Sequence, residues 1–305
     1  FLRPTSQTIV IMKALTHTLA LIFLSSPLFL HSQKVSINSE KLSNHVYMIT
    51  GQGGIIGLFE DTDALLMIDS QFGKLTPQIL AEIKTISPKP IKTLLNTHHH
   101  GDHTGGNENI VNKGASVFAH KNARVRLLKS IEDKTKSSKK ALPILTFSTE
   151  LNLYFDTTQV LIFHPETAHT DGDAIIYFVE ENVLHTGDVF FNSRYPYIDL
   201  DSGGSVIGAK KAIEHMLMLI NAETQIIPGH GKRATKTDLE KTLAMYNTCI
   251  SRIENEINRG ATQEDVSQNR ALTEDLDGKF YTEGAFISPE KWRRTIYLSL
   301  TSEKN

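Results

Sequence analysis

A chain of 305 residues is long enough to bury a large hydrophobic core. Its 32 basic and 34 acidic residues leave a formal net charge of -2, so nothing in the charge balance indicates a nucleic-acid-binding surface. The single cysteine, Cys249, excludes an intrachain disulfide framework and a thiolate-rich zinc site, and its helical surroundings predict a small packed side chain.

The N-terminal region resembles a secretory signal. Met12 is followed by a lysine and by an apolar run over residues 19–30, which is too short to span a bilayer comfortably. We predict a leader and signal peptide over residues 1–32, cut near Ser32, and hence a periplasmic or secreted bacterial protein. After cleavage no stable membrane anchor is expected; an uncleaved N-terminal anchor is the alternative.

Strands and helices alternate through the first half of the chain, which favours an α/β fold. A segment rich in lysine and serine, residues 132–140, predicts a solvated mobile loop, with a lid that attracts an anionic substrate as the alternative. Apolar alternation predicts strands at 46–49, 55–60, 64–68, 91–95 and 117–119, and helical spacing predicts helices at 76–86, 104–112 and 121–130.

The second half adds further strands and ends in helices. A long loop over 190–205 mixes aromatic, basic and acidic residues, so Arg194, Tyr195 and Asp199 are candidates for substrate contact, with an ordinary connection as the alternative. We expect the helical tail to dock either on the core or on a second subunit. In the second case the protein would be a homo-oligomer. Strands are predicted at 151–155, 160–163, 174–179, 183–186 and 225–228, and helices at 205–220, at 237–259, and from 262 and 288 onward.

Four histidines and one aspartate fall within six positions, His98 to His103, directly after the strand predicted at 91–95. Because side chains alternate at a strand end, His98, His100 and Asp102 can point the same way, and His103 can fold back past the turn. Imidazole nitrogen suits zinc, and a carboxylate oxygen can complete a second centre. The pattern therefore favours a metal site over a solvated polar loop.

The motif His98-x-His100-x-Asp102-His103 resembles the metal motif of the metallo-β-lactamase superfamily, which includes β-lactamases and glyoxalase II. The resemblance covers residues 40 to 235. It implies a four-layer αββα sandwich over residues 33–235, with a helical C-terminal extension, residues 236–305, packed on it. The remaining parts of the family pattern occur in the same order, each near a strand-like run, at Asp69, His169, Asp188 and His230.

The resemblance also implies a role for each of these side chains. Two zinc ions per chain are expected, with Asp188 bridging them, Asp69 supporting the histidine loop, and Asp102 acting as a catalytic residue as well as a ligand. His164 and His185 fall outside the family motif and are interpreted as structural. The ligands implied are His98, His100 and His169 for the first metal, and Asp102, His103 and His230 for the second.

The resemblance implies that the chain is a dinuclear zinc hydrolase. Hydroxide formed from a water shared by the two ions would attack an ester, thioester, lactone or β-lactam carbonyl. Asp188 in place of a cysteine favours ester or thioester chemistry over lactam hydrolysis. A small-molecule substrate is expected, and no nucleic acid. Two alternatives remain: an iron-dependent oxidoreductase resembling the sulfur dioxygenases, and a non-catalytic metal-binding accessory protein.

Overall fold

The computed structural model describes residues 35–132 and 138–302. The predicted leader, residues 1–32, lies outside the described residues, and so does most of the lysine-rich loop, at 133–137. From Val35 onward the chain forms one compact unit. None of the helices in the described ranges is long and apolar enough to cross a bilayer.

Seven strands form the first sheet, and their order in the sheet equals their order in the chain. The first four strands pair antiparallel, and the pairs from β4 to β7 are parallel because helices cross over between them. The strands are β1 (Asn38–Lys41), β2 (Val46–Thr50), β3 (Ile56–Glu60), β4 (Leu65–Ile68), β5 (Ile91–Leu95), β6 (Ser116–His120) and β7 (Leu145–Phe147). The helices of this half are α1 (Thr76–Ile86), α2 (Gly101–Thr104), α3 (Asn107–Val111) and α4 (Lys121–Glu132).

Five strands form the second sheet in the order β12-β11-β10-β9-β8. Only β11 and β12 pair in parallel, since a long helix connects them. The strands are β8 (Glu150–Tyr154), β9 (Gln159–Phe163), β10 (Ile175–Phe178), β11 (Val183–His185) and β12 (Gln225–Ile227). The helices are α5 (Val206–Leu219), α6 (Lys236–Asn258), α7 (Gln263–Gln268), α8 (Glu274–Phe280) and α9 (Pro289–Ser302).

Three apolar clusters divide the molecule into four layers. The central cluster lies between the sheets and joins Phe59 and Leu66 of the first sheet to Ile162 and Phe178 of the second. A second cluster joins the other face of the first sheet to α1 and α3, and a third joins the outer face of the second sheet to α5, α6 and α9. The αββα sandwich expected from the sequence is therefore confirmed.

The structure departs from the predicted elements in several places, one of which is the separate helix α8, which had no predicted start. Of the helix expected over 104–112 only α3 forms, and α2 ends before it at Thr104. The break falls at Gly106, which lies against the loop after β4: its amide donates to Gln71 O, and a Cβ would come within 2.5 Å of Ser70 O. Strands β1 and β7 were not predicted. Both are short edge strands with mostly exposed side chains, so they lack the apolar alternation that identifies a strand.

The C-terminal helices lie on the outer face of the second sheet. Residues of α6 and α9, among them Tyr246, Cys249 and Trp292, are fully buried in the same cluster as β10, β11 and α5. Capping boxes begin α6 at Thr235 and α7 at Thr262, as expected for threonine followed by an acidic residue three positions later. The boundary placed after residue 235 remains a prediction.

Candidate metal centre

The candidate ligands meet at one edge of the two sheets. Asp69 follows β4, the His98–His103 segment follows β5, Asp188 follows β11, and His230 follows β12. The carboxyl ends of the parallel pairs β4–β5 and β11–β12 open toward the same edge, which brings these distant residues together. His169 joins them from the loop between β9 and β10.

A first cluster contains three imidazoles and one carboxylate. His100 Nδ1 lies 3.1 Å from His98 Nε2 and 3.0 Å from His169 Nε2. Asp188 Oδ2 lies 3.8 Å from His98 Nε2 and 3.6 Å from His169 Nε2. One atom of each of these four residues therefore faces a common point, and all four atoms lie within 4.8 Å of one another.

A second cluster lies on the other side of Asp188. Asp102 Oδ2 lies 3.3 Å from His230 Nε2 and 3.8 Å from His103 Nε2. The second carboxylate oxygen of Asp188, Oδ1, lies 3.1 Å from His103 Nε2 and 3.5 Å from His230 Nε2. Asp188 thus directs one oxygen toward each cluster, as a bridging carboxylate would.

Asp69 determines which ring nitrogen of His98 and of His103 faces the clusters. Its carboxylate accepts bonds from Thr97 N (2.8 Å), Thr97 Oγ1 (2.6 Å) and His103 Nδ1 (2.8 Å). Because the Thr97 hydroxyl proton goes to Asp69, its oxygen accepts from His98 Nδ1 at 3.0 Å. The Nε2 atoms of both histidines are then unprotonated and available as ligands in the neutral rings. Asp69 adopts a positive φ of 60°, a conformation that aspartate tolerates.

The other two histidines of the first cluster are fixed in the same way. His100 Nε2 donates to Asp199 Oδ2 at 2.8 Å, which leaves Nδ1 to face the cluster. His169 Nδ1 donates to the carbonyl oxygen of Tyr197 at 2.7 Å, which leaves Nε2 free. Since a carboxylate and a carbonyl can only accept, these bonds assign the ring protons. Both acceptors belong to the loop that follows β11.

The distances between the donor atoms fit a bound metal ion, and two of the buried donor atoms lack a hydrogen-bond partner in the described part of the chain. A tetrahedral zinc ion with zinc–nitrogen bonds of about 2.0–2.1 Å holds its ligand nitrogens roughly 3.3 Å apart, close to the spacing of the three imidazoles. His103 Nε2 and Asp188 Oδ1 are buried, and neither completes a hydrogen bond with any described residue. Unsatisfied buried polar atoms are rare and costly, and a cation bound between these two would supply the missing partner.

The charges of the site favour a cation as well. Burial opposes ionisation of Asp188, but His103 and His230 lower its pKa well below the ordinary value. Burial lowers the pKa of His98 strongly and that of His169 to about 4, so both rings are neutral at neutral pH and able to bind a cation. In His103 and His230 the nearby carboxylates outweigh burial; the pKa of His103 is raised well above the ordinary value and that of His230 to about 9. Binding a cation here therefore displaces protons.

The three substrate-contact candidates occupy different positions. Arg194 is exposed and lines a cavity beside the second cluster. Tyr195 also lines this cavity, but its hydroxyl donates to Asp277 Oδ1 at 2.8 Å and its side chain is buried. Asp199 is mostly buried and bonds His100 and the amide of Ser202, so it lies beside a candidate metal ligand and not in the cavity lining.

Two further histidines make only structural contacts. His164 Nδ1 donates to the carbonyl oxygen of Asp173 at 2.7 Å. His185 Nε2 donates to Ile55 O, and its Nδ1 accepts from the amide of Gly187. These bonds tie neighbouring loops together and direct neither ring into the metal clusters.

The cavity beside the clusters has a volume of about 530 Å³, within the range of small-molecule sites. On one side it exposes the less buried candidate ligands His100, Asp102 and His230. No sequence pattern identified the opposite side, because its aromatic residues come from three separate segments, one of them near the C-terminus. The apolar residues of this lining are Phe72, Phe191, Tyr195, Tyr197, Ala285, Phe286 and Ile287.

The family model of the metallo-beta-lactamase superfamily matches residues 50–230, more than half of the chain, and the chain belongs to this superfamily. A type 2 metallo-beta-lactamase from Bacillus sp. (strain 170) is 25% identical over 236 residues, covering 77% of this chain and 84% of that protein. A hydroxyacylglutathione hydrolase from Pelagibacter ubique is 32% identical over 154 residues, covering 48% of this chain and 56% of that protein.

Among solved structures, a stereoselective inverting sec-alkylsulfatase from Pseudomonas sp. superposes with a TM-score of 0.69. It is 18% identical, and the match covers 86% of this chain and 50% of that structure. Identity at this level shows a shared fold alone. The family membership, the two histidine clusters and the hydrolase relatives together define a metal-binding, hydrolase-like protein.

Proposed function

We propose that this chain is an exported dinuclear zinc hydrolase that cleaves an ester, thioester, lactone or β-lactam. The observation that carries the proposal is the position of Asp188, whose two carboxylate oxygens face two separate histidine clusters. In the proposed arrangement the metal ligands are His98, His100 and His169 in the first cluster, Asp102, His103 and His230 in the second, and Asp188 between them.

When bound, two zinc ions supply Lewis acidity and make a water acidic enough to serve as a nucleophile at neutral pH. The protein holds the ligands in one orientation through Asp69 and Asp199. Asp102 lines the cavity with part of its carboxylate exposed, so we assign it to proton transfer at the reacting atoms. In the reaction, water oxygen bonds to the carbonyl carbon, the bond to the leaving oxygen, sulfur or nitrogen breaks, and that atom gains a proton.

Two features favour ester or thioester substrates within this class. The bridging position holds the carboxylate of Asp188, and the only cysteine of the chain, Cys249, lies buried in α6 away from the clusters. One relative of the chain is a hydroxyacylglutathione hydrolase, by name a thioester-cleaving enzyme. Over the region that it matches it is 32% identical, whereas the Bacillus metallo-beta-lactamase is 25% identical over its region. We therefore place ester and thioester cleavage ahead of β-lactam cleavage.

Export is proposed from the sequence of the N-terminal region. The lysine after Met12 and the apolar run at 19–30 have the order of a secretory signal. The mature protein would then meet its small-molecule substrate in the periplasm or outside the cell. Fractionation of a producing bacterium, with N-terminal sequencing of the recovered protein, tests this; intact protein in the cytoplasm would contradict it.

The metal and the reaction are tested together on the purified protein. We expect two zinc equivalents per chain by elemental analysis and metal-dependent hydrolysis of a thioester, a lactone or nitrocefin. His100→Ala should abolish hydrolysis, whereas His215→Ala, which removes an exposed histidine of α5, should not. Hydrolysis by chelator-treated, metal-free protein would refute the proposal. Iron with oxygen-dependent thiol oxidation would favour the oxidoreductase, and metal without any turnover would favour an accessory protein.

A further inference from the structure

The cavity beside the metal clusters has one polar side and one apolar side. The polar side consists of candidate metal ligands, which face the reacting atoms of any substrate. Of the remaining lining, Arg194 alone carries a charge. A charged or strongly polar substituent placed against the apolar side would lose its hydration without gaining partners, and that loss costs free energy.

Aromatic rings connect the two sides directly. The ring of Phe191 stacks on His230 with centroids 5.0 Å apart and planes within 12°. Tyr197 stacks on His100 with centroids 5.8 Å apart, and Phe286 and Tyr197 pack edge to face with centroids 5.4 Å apart. An apolar group held on these rings would therefore lie immediately beside the ligands of both clusters.

Phe286 comes from the C-terminal extension, between α8 and α9, and 72% of its surface is exposed. Single exposed apolar side chains are common, so the exposure of Phe286 matters here only because its ring also lines the cavity. Within this segment Ala285 N donates to Thr282 O, and Lys291 Nζ donates to Phe286 O and lies 5.4 Å from the centre of the Phe286 ring. The segment Ala285–Ile287 thus forms one wall of the cavity.

We propose that Phe191, Tyr197 and the segment Ala285–Ile287 bind an apolar acyl group, so that the preferred substrates are esters or thioesters of medium-chain alkyl or aryl carboxylic acids. This inference rests on the proposed function and specifies its substrate class. The cavity of about 530 Å³ accommodates such a group beside the reacting carbonyl. A hydroxyacylglutathione carries a short polar acyl group and a charged tripeptide, neither of which matches the apolar wall.

The first test compares p-nitrophenyl acetate, butyrate and octanoate with the zinc-loaded enzyme. We expect kcat/KM to rise along the series, because each methylene that a pocket buries is worth on the order of tenfold in discrimination. Phe286→Ala should lower kcat/KM for octanoate by about tenfold and lower that for acetate much less. Equal losses for all three esters, or no increase with chain length, would overturn the proposal.

A second measurement does not depend on turnover. The neutral fluorophore N-phenyl-1-naphthylamine is titrated into metal-free protein, and Phe286→Ala should weaken its binding severalfold. Tyr154→Ala is the matched control, since Tyr154 is an equally exposed aromatic residue on β8 that does not line the cavity. Binding that is the same in the Phe286 variant as in the unaltered protein would contradict the assignment of the wall.

The outcomes separate this inference from the proposed function. If no ester, thioester, lactone or β-lactam is hydrolysed with metal bound, the proposed function fails whatever the fluorophore shows. If β-lactams alone are hydrolysed, the acyl assignment is overturned instead. If hydrolysis occurs but Phe286→Ala lowers kcat/KM for 1-naphthyl acetate as much as for octanoate, the wall binds the leaving group, and the acyl assignment is overturned. A higher kcat/KM for a hydroxyacylglutathione than for an octanoyl thioester would overturn it too.

Discussion

Asp199 offers a sharp test of how the protein controls its metal ligands. Its Oδ2 accepts a 2.8 Å bond from His100 Nε2, and its Oδ1 accepts from the amide of Ser202. Burial opposes its ionisation, but the bond from His100 and the bonds from Ser202 lower its pKa below the ordinary value, so it is a carboxylate at neutral pH. Asp199→Asn keeps the shape of the side chain and removes the charge that holds the His100 proton.

The expected result is weaker metal binding. Replacing a carboxylate that orients a ligating histidine costs about 10- to 100-fold in metal affinity, or about 1.4 to 2.7 kcal/mol. The bond is short and Asp199 is mostly buried, so water replaces the lost partner poorly. Affinity is measured by competition between metal-free protein and a chromophoric chelator, and KM is measured separately with excess zinc present.

A neighbouring carboxylate provides the control. Asp201 lies two positions away in the same turn and is exposed, so Asp201→Asn should leave zinc affinity unaltered. The two possible roles of Asp199 differ in what the measurements show. Unchanged zinc affinity in Asp199→Asn, together with a raised KM, would refute the orienting role and support direct contact with substrate.

Two further predictions concern groups outside the clusters. Arg194→Ala should raise KM for anionic esters relative to neutral ones by about 1.4- to 5-fold, because an exposed ion pair is worth about 0.2–1 kcal/mol. Equal effects on both ester types would contradict a charge contact. His120 is buried and stacked on His164 at 3.7 Å, and burial followed by the charge of that ring lowers its pKa from 6.5 to about 4. As the pH falls, His120 is protonated in the unfolded chain before it is protonated in the folded chain. The free energy of unfolding that is present above pH 6.5 therefore decreases as the pH falls toward 4, by at most about 3 kcal/mol. His120→Gln should flatten this loss in urea unfolding of metal-free protein followed by Trp292 fluorescence; an unchanged pH profile would contradict the assignment.

The strands that deliver the candidate ligands could be read from the sequence because each is an apolar run that ends in a polar turn. The run at 91–95 and the motif after it became β5 and the start of α2, and the runs before Asp69, Asp188 and His230 became β4, β11 and β12. Parallel pairing then places these carboxyl ends at one edge, which the periodicity of a strand cannot show by itself. The spatial grouping was expected through the family resemblance.

The residues around the ligands could not be assigned from the sequence. The loop after β11 supplies both acceptors that fix the protons of His100 and His169, yet one of them is a backbone carbonyl, which no sequence pattern identifies. The cavity wall at Ala285–Ile287 lies over fifty residues beyond the last ligand, in a stretch with no periodicity. Contacts of this kind depend on tertiary packing, where local sequence carries little information.

The C-terminal helices connect the fold to the chemistry of the site. Strands β10, β11 and β12 expose apolar side chains on the outer face of the second sheet, and α6 and α9 cover that face. Trp292 of α9 stacks on Tyr195 with centroids 5.9 Å apart, so the cover also holds the loop after β11. The same loop carries Tyr197 and Asp199 to the metal ligands. The extension that buries the sheet therefore also supports the loop whose Tyr197 carbonyl and Asp199 carboxylate bond His169 and His100, and it contributes Ala285–Ile287 to the cavity lining. We expect loss of packing at Trp292 to disturb both.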